Sequence, residues 1–244
     1  MNVIFLTLAR ISEINERGIY HDLMRRFRDE GHSVYIVCPV ERRLGMASSL
    51  VDNNGVKILS VRTLNIQKTN VVEKGVGTLL VEKQYNDAIK KYLSDVTFDL
   101  LLYSTPPITF PKVIAYLKRK NPQAVTYLLL KDIFPQNAVD IGMMDTNGVK
   151  GILYKFFRNK EKKLYVQSDY IGCMSPANVE YVVRHNPEVG TSRVEVAPNS
   201  IELSNRNLQE NVDRKAIRSK YCLPMDKPVF IYGGTWGSRK GFRS

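Results

Sequence analysis

The chain has 244 residues, of which 43% are hydrophobic and 25% are charged. This is the composition of an ordinary soluble globular protein, and the length allows one large domain or two modest ones. The three cysteines, Cys38, Cys173 and Cys222, have no paired spacing, which argues against a disulfide framework or a zinc site and favours a reducing compartment.

The net charge is +12. Such an excess favours anionic partners, namely nucleic acid, an anionic membrane surface or phosphorylated small molecules. A basic surface without a dedicated partner is the alternative, and the charge alone does not choose between them.

The first residues, MNVIFLTLAR, contain an apolar run. No basic region precedes it and no small-residue cleavage site follows, so its length suits a buried strand better than a signal peptide or a membrane span. We therefore expect a cytoplasmic protein.

Short apolar runs alternate with amphipathic stretches along the first 200 residues. The predicted strands are Val3–Leu8, Ser33–Cys38, Val56–Val61, Leu100–Tyr103, Val125–Leu130, Tyr170–Met174 and Val194–Val196. Between them lie predicted helices whose apolar residues recur at helical spacing. These residues are Ile19, Leu23 and Phe27 in the first helix, Leu79, Ile89 and Leu93 in the second, and Val113, Ile114 and Leu117 in the third.

The predicted strands lack polar alternation and are separated by helices. This pattern predicts an α/β fold with a Rossmann-like parallel sheet and helices on both faces. We place this domain at residues 1–197, followed by a polar linker at 198–211. Residues 212–244 then form only the start of a second domain, with a helix near Val212–Tyr221 and a strand at Val229–Tyr232.

The segment YLLLKDIFPQNAVDIGMM is the most informative part of the sequence. A buried strand delivers Lys131 and Asp132 at its carboxyl end, where α/β folds bind ligands. Gln136, Asn137 and Asp140 follow as a polar cluster. The alternative is a structural Lys–Asp salt bridge that caps the next helix.

The stretch Lys150–Tyr165 predicts a basic amphipathic helix. Phe156 and Phe157 belong to its apolar stripe, and Lys155 and Arg158 lie among its basic residues. A helix of this kind is a candidate for lying on an anionic membrane. Core packing with a solvated basic face is the alternative.

Three motifs resemble a known family. KDIFPQNAVDIGMM, YKFFRNKEKKLYVQSDYIGCMSPANVEYVVRHNPE and VEVAPNSIE are similar to the N-terminal half of bacterial family 4 glycosyltransferases, in the branch associated with capsule and O-antigen synthesis. The resemblance implies the GT-B architecture, in which two Rossmann-like domains face each other across a cleft. It covers most of residues 1–234.

The resemblance also implies roles for individual residues. Asp132 matches the position of a polar catalytic side chain beside the reacting sugar. The N-terminal domain of the family takes the acceptor, and the implied acceptor-binding residues are Lys131, Gln136, Asn137, Asp140 and Gly18. Gly233 and Gly234 match the opening of the domain that takes the nucleotide-sugar donor.

We expect neither a cofactor nor a metal. The sequence has no Asp-x-Asp triplet and no G-x-G-x-x-G or Walker motif, and its three histidines stand far apart. The nucleotide-sugar implied by the resemblance is a substrate.

The last residues depart from the family pattern. After Gly234 the chain continues as TWGSRKGFRS, which is compatible with a one-base deletion in a coding sequence for the expected residues. We hypothesise that 235–244 are out of frame and that the chain is a truncated, inactive form of the transferase, which the downstream DNA tests. The rival interpretation aligns Lys240-Gly241 with the donor diphosphate site.

The resemblance therefore implies a retaining hexosyl transferase of cell-surface polysaccharide synthesis. Its full-length form would act on a lipid-linked saccharide at the inner face of the cell membrane. The alternative is a non-catalytic domain that binds an acceptor or a membrane. A basic nucleic-acid-binding domain has support only from Lys150–Tyr165, and we expect no nucleic-acid partner.

Overall fold

The computed structural model describes residues 1–66, 71–203 and 213–230, with the backbone alone at 71–76 and 149–150. The chain divides into two compact units, Met1–Ile201 and Glu202–Ser244. The predicted domain limits at 197 and 211 remain predictions.

The first unit contains an eight-stranded sheet. Its strands are β1 (Asn2–Leu6), β2 (Ser33–Glu41), β3 (Ser49–Asn53), β4 (Val56–Thr63), β5 (Leu100–Ser104), β6 (Val125–Leu130), β7 (Tyr170–Cys173) and β8 (Val194–Val196). They lie in the order β3-β4-β2-β1-β5-β6-β7-β8. Every neighbouring pair is parallel except β3 and β4.

The helices of the first unit are α1 (Ile19–Asp29), α2 (Val71–Tyr92), α3 (Pro111–Lys120), α4 (Gln136–Asp140), α5 (Gly148–Gln167) and α6 (Pro176–His185). The predicted first helix ends as expected, because Gly31 adopts a positive φ of 82° after it.

Alternate residues of β1, β2, β4, β5 and β6 enter two separate cores. Ile4, Leu6, Tyr35 and Val37 pack on one face with apolar residues of α2, α3, α5 and α6. Phe5, Val34 and Ile36 pack on the other face with Met24 of α1. The strands are apolar on both sides because helices cover both faces of the sheet. The predicted α/β class with a Rossmann-like, mostly parallel sheet is confirmed.

The edge strand β3 was not predicted. It forms an antiparallel hairpin with β4, and the turn residues Asn54 and Gly55 both have positive φ, at 52° and 81°. Asn-Gly is the preferred dipeptide for such a two-residue turn. The signal was present in the sequence, but β3 itself is short and half polar.

The predicted buried face of the second helix was partly wrong. Ile89 and Leu93 are buried, as expected, whereas Leu79 is 58% exposed. The face of α2 that enters the core carries Val81 and Tyr85. Leu79 lies nearly opposite Val81 around the helix, because two residues span about 200°.

The second unit is described only at 202–203 and 213–230. It contains α7 (Arg214–Lys220), which Asp213 caps by accepting hydrogen bonds from the amides of Lys215 and Ala216. Val229 and Phe230, the described part of the predicted last strand, belong to no strand.

Candidate functional site

The strand order fixes the position of a binding crevice. The chain runs outward from β1 through β2 to β4, and then from β5 through β6 and β7 to β8. The direction therefore reverses between β1 and β5, and ligands of doubly wound sheets bind at such a switch point, outside the carboxyl ends of the strands. Thr7, Thr105 and Lys131 follow directly after β1, β5 and β6 at this edge.

Hydrogen bonds to and between hydroxyl groups hold these strand ends together. The Thr105 Oγ1 accepts from the amide of Lys131 at 2.9 Å and from the amide of Asp132 at 3.4 Å. The Ser104 hydroxyl donates to Thr7 Oγ1 at 3.3 Å. All three hydroxyl residues are buried. The backbone that carries Lys131 and Asp132 is therefore fixed from below.

Asp132 is exposed and Lys131 is half-buried. The salt bridge that was the alternative to a ligand site does not form: among the described residues, neither side chain takes part in an ion pair. The Asp132 carboxylate is open to a ligand.

An apolar groove with a cavity of about 260 Å³ begins at Lys131. One wall comes from α1, and the floor comes from β5 and β6. Its lining includes Ile19, Tyr20, Leu23, Phe27, Leu100, Leu102, Tyr127, Leu129 and Lys131, together with residues 197–200. All of these belong to the first unit.

Three titratable groups in this groove have shifted pKa values. Burial raises the pKa of the Tyr127 phenol, and a hydrogen bond with Glu195 and the charge of Glu195 add to this shift. Burial lowers the pKa of the Lys131 ammonium, because an apolar surrounding disfavours the charged form. Burial raises the pKa of the Tyr20 phenol; a hydrogen bond with Ser104 opposes this shift, and the negative charge of Asp132 adds to it. An anion beside Lys131 would raise the pKa of its ammonium again, because an opposite charge favours the charged form.

Gly18 stands immediately before α1, two residues from Tyr20. Its φ of 168° is extended backbone, but a side chain there would bring a Cβ to 2.7 Å from His21 Nδ1. Its amide donates to the Asp22 carboxylate at 3.3 Å. Gly18 thus lies two residues from Tyr20, which lines the same groove as Lys131. A contact between Gly18 and a ligand stays a prediction.

The other predicted acceptor residues lie on α4. Gln136 donates to Asp140 at 2.8 Å and accepts from the Tyr154 hydroxyl of α5 at 3.2 Å. The side-chain oxygen of Asn137 is buried and has no hydrogen-bond partner in the described part of the chain. Gln136 contacts α5, and none of the three residues lines the groove, so their role in acceptor binding also stays a prediction.

The predicted membrane helix is α5, and its basic and aromatic residues face different ways. Phe157 packs edge-on against Phe134, with ring centroids 5.2 Å apart. Arg158 is 17% exposed and pairs with the buried Glu161, while donating to the side chain of Asn186 at 2.6 Å. Phe156 and Lys155 are the exposed members of the predicted set.

The predicted donor residues Gly233 and Gly234 lie outside the described residues. Within 1–66, 71–203 and 213–230, no cluster of histidine, cysteine, aspartate and glutamate could hold a metal ion. Over the same residues, every helix is too short or too polar to cross a bilayer.

Sequence reasoning found Lys131 and Asp132 and missed Tyr20, Thr7, Ser104 and Thr105. The polar residues Ser104 and Thr105 do stand directly after an apolar strand, as Lys131 and Asp132 do. That signal could have found them, whereas the position of Tyr20 depends on how α1 packs.

No family model matches the chain, and no curated protein matches it. Solved structures do. One is described as trehalose-6-phosphate from E. coli bound with UDP-2-fluoro glucose. The similarity covers 90% of this chain and 54% of that chain, with a TM-score of 0.57 and 10% sequence identity. The apo form of OtsA is similar over 91% of this chain and 55% of its own, with a TM-score of 0.55 and 10% identity.

Trehalose-6-phosphate synthase OtsA gives a TM-score of 0.53 at 9% identity, over 91% of this chain and 55% of its own. The chain thus spans about half the length of these structures. At such low identity the likeness shows the fold alone, which this chain shares with about half of each of these structures.

Proposed function

We propose that the first unit is the acceptor-binding lobe of a glycosyltransferase. In this proposal a sugar, of hexosyl type, passes from a nucleotide-sugar to a saccharide acceptor with retention of configuration. The acceptor is a lipid-linked intermediate of a cell-surface polysaccharide of the capsule or O-antigen kind, and the reaction takes place at the inner face of the cell membrane. The motifs quoted above, which resemble family 4 glycosyltransferases, support this choice of acceptor.

One observation carries the proposal. An exposed carboxylate, Asp132, stands beside a half-buried ammonium, Lys131, at the switch point of a sheet with a glycosyltransferase fold. A carboxylate accepts hydrogen bonds from sugar hydroxyls, and an ammonium attracts a phosphate. The pair suits an acceptor that carries both groups, and the apolar groove beside it suits the first part of a lipid chain.

The chemistry divides between two lobes. Transfer with retention needs basic side chains and backbone amides to stabilise the departing diphosphate, and it needs donor and acceptor in reacting geometry. In this proposal the second lobe supplies the first requirement, beginning near Gly233 and Gly234. The acceptor lobe alone binds its ligand without transferring sugar.

A second candidate is a non-catalytic domain that binds the same acceptor. It is favoured by the position of Lys131 and the whole groove lining within the first unit. The two candidates share one binding site and differ in turnover.

Calorimetry with a short-chain prenyl-diphosphate monosaccharide tests the shared site. We expect binding to the unaltered chain, and we expect Asp132→Asn to weaken it about tenfold through the loss of a charged hydrogen bond. Asp145→Asn is the matched control, because Asp145 is also exposed but, unlike Asp132, does not adjoin a residue that lines the groove. Equal affinity for all three proteins, or no binding by any, would refute the proposal.

A further inference from the structure

The outer surface of α5 exposes large apolar side chains to solvent. Ile152 is 70% exposed, Leu153 is 48% exposed and Phe156 is 38% exposed. Residues at these spacings fall within about 100° of one another around a helix. The turn that leads into the same end of α5 adds the exposed residues Ile141 and Met143.

The packing of α5 on the rest of the unit fixes which residues face outward. Leu164 and Tyr165 enter the main core. Phe157 packs against Phe134, and Arg158 pairs with Glu161. Ile152, Leu153 and Phe156 are therefore left exposed by a helix whose other side is fully engaged.

Basic residues lie among and after these apolar residues on the outer side of α5. Lys155, Lys162 and Lys163 are exposed. Residues 141–167 contain two acidic side chains, Asp145 and Glu161, and Glu161 is buried against Arg158. The exposed surface thus combines an apolar end with a positively charged end along one helix.

We propose that this surface binds the anionic surface of a lipid bilayer. The surface consists of Ile152, Leu153, Phe156, Lys155, Lys162 and Lys163, and we call it the α5 surface. Apolar side chains enter the boundary between head groups and acyl chains, while lysines beside them attract anionic head groups. The charge complementarity selects a lipid surface over a second copy of this basic chain.

The inference deepens the proposed function, and rests on it for its biological sense, since a lipid-linked acceptor lies in a membrane. It also changes which residues carry the contact. The sequence predicted Phe156, Phe157, Lys155 and Arg158. The proposal keeps Phe156 and Lys155, and it replaces the two residues that pack against the protein with exposed neighbours on α5.

Vesicle flotation tests the proposal. We expect the chain to float with vesicles of equimolar phosphatidylglycerol and phosphatidylcholine, and not with vesicles of phosphatidylcholine alone. Lys162→Gln/Lys163→Gln should lower the partition coefficient about thirty-fold. Ile152→Ser/Phe156→Ser should lower it at least about tenfold, because the inserted apolar surface is lost.

Matched controls come from α2. Lys83→Gln/Lys91→Gln makes the same change in net charge at exposed positions, and Leu79→Ser removes an exposed apolar side chain. Both should float like the unaltered chain. An equal loss of partitioning in the control variants would overturn the proposal of a specific surface. The total charge of the chain would then explain the binding to vesicles.

Two further results would overturn the proposal. One is the absence of flotation by the unaltered chain. The other is self-association, measured by analytical ultracentrifugation, that Ile152→Ser/Phe156→Ser abolishes while flotation is unaffected; the α5 surface would then bind a second copy. Because the α5 variants leave Lys131 and Asp132 unchanged, their binding of the soluble short-chain acceptor should match that of the unaltered chain. Failure of the membrane contact is therefore distinguishable from failure of the proposed function.

Discussion

The central residues of the candidate site are Lys131 and Asp132, and their position was predictable. An apolar strand ends directly before them, so the sequence alone places them at the ligand-binding edge of a parallel sheet. The side chains that support them were harder to predict. Thr105 is 26 residues away in sequence, and Tyr20 comes from the first helix.

The Thr105 hydroxyl gives a residue-scale prediction. Thr105→Val keeps the shape of the side chain but leaves the amides of Lys131 and Asp132 without their acceptor. We expect a loss of about 1–2 kcal/mol in the free energy of unfolding, because these groups lie in a buried corner. Thr97→Val, at an exposed position, is the control and should change stability by less than about 0.5 kcal/mol.

Urea unfolding followed by circular dichroism measures both variants. The result that would count against the account is Thr105→Val with the stability of the control. It would mean that the strand ends are held by packing alone.

At the scale of elements, α5 shows what a helical pattern can and cannot predict. The sequence placed this basic amphipathic helix correctly in the chain. It could not tell which aromatic and basic residues face inward, because the stripe of Ile152, Leu153, Phe156 and Phe157 is wider than the contact with the rest of the unit. In the structure Phe157 packs against Phe134 of the rest of the unit, whereas the aromatic contact of Phe156 is with Phe157 on the same helix.

The buried pair Arg158–Glu161 gives a prediction for this helix. Burial raises the pKa of Glu161, whereas the charge of Arg158 and a hydrogen bond from Tyr165 lower it, and burial dominates. Arg158→Met would leave this carboxylate unpaired. We expect a loss of about 3 kcal/mol in the free energy of unfolding at neutral pH, as for other buried pairs that lose one partner.

The pH dependence of this loss has a defined sign. A carboxyl whose folded pKa lies above its unfolded value destabilises the fold more as the pH rises. Without Arg158 the pKa of Glu161 rises further, so Arg158→Met should regain stability relative to the unaltered chain as the pH falls toward about 4. Lys155→Met, at an exposed position on the same helix, should lose less than about 0.5 kcal/mol at every pH.

Thermal and urea unfolding between neutral pH and pH 4 checks this prediction. An Arg158→Met protein as stable as Lys155→Met would show that Arg158 is not part of the packed side of α5. It would return Arg158 to the group of residues available to a membrane.

At the scale of the whole molecule, the parallel sheet follows from uninterrupted apolar strands. Every predicted strand of the first unit is present in the structure, and the edge strand β3 was missed because its Asn-Gly turn was overlooked. The order of the strands in the sheet cannot be predicted in the same way as the strands themselves. It depends on which crossovers the chain makes, so the sequence alone could not locate the switch point between β1 and β5.

Acceptor binding and nucleotide-sugar binding belong to different parts of the proposed enzyme. The first unit contains the candidate site complete with its groove. The expected nucleotide-sugar site begins at Gly233 and Gly234, outside the described residues. The account therefore separates acceptor binding, which we assign to the first unit, from sugar transfer, which we assign to a two-lobed enzyme.

Mapping the acceptor on the chain by amide NMR tests the central claim most directly. We predict that a short-chain prenyl-diphosphate monosaccharide shifts the amide signals of Gly18, Tyr20, Thr105, Lys131 and Asp132, and that UDP-glucose shifts none of them. Acceptor shifts confined to the α2 and α3 side of the sheet would contradict the account, and so would transfer of sugar from UDP-glucose by this polypeptide alone.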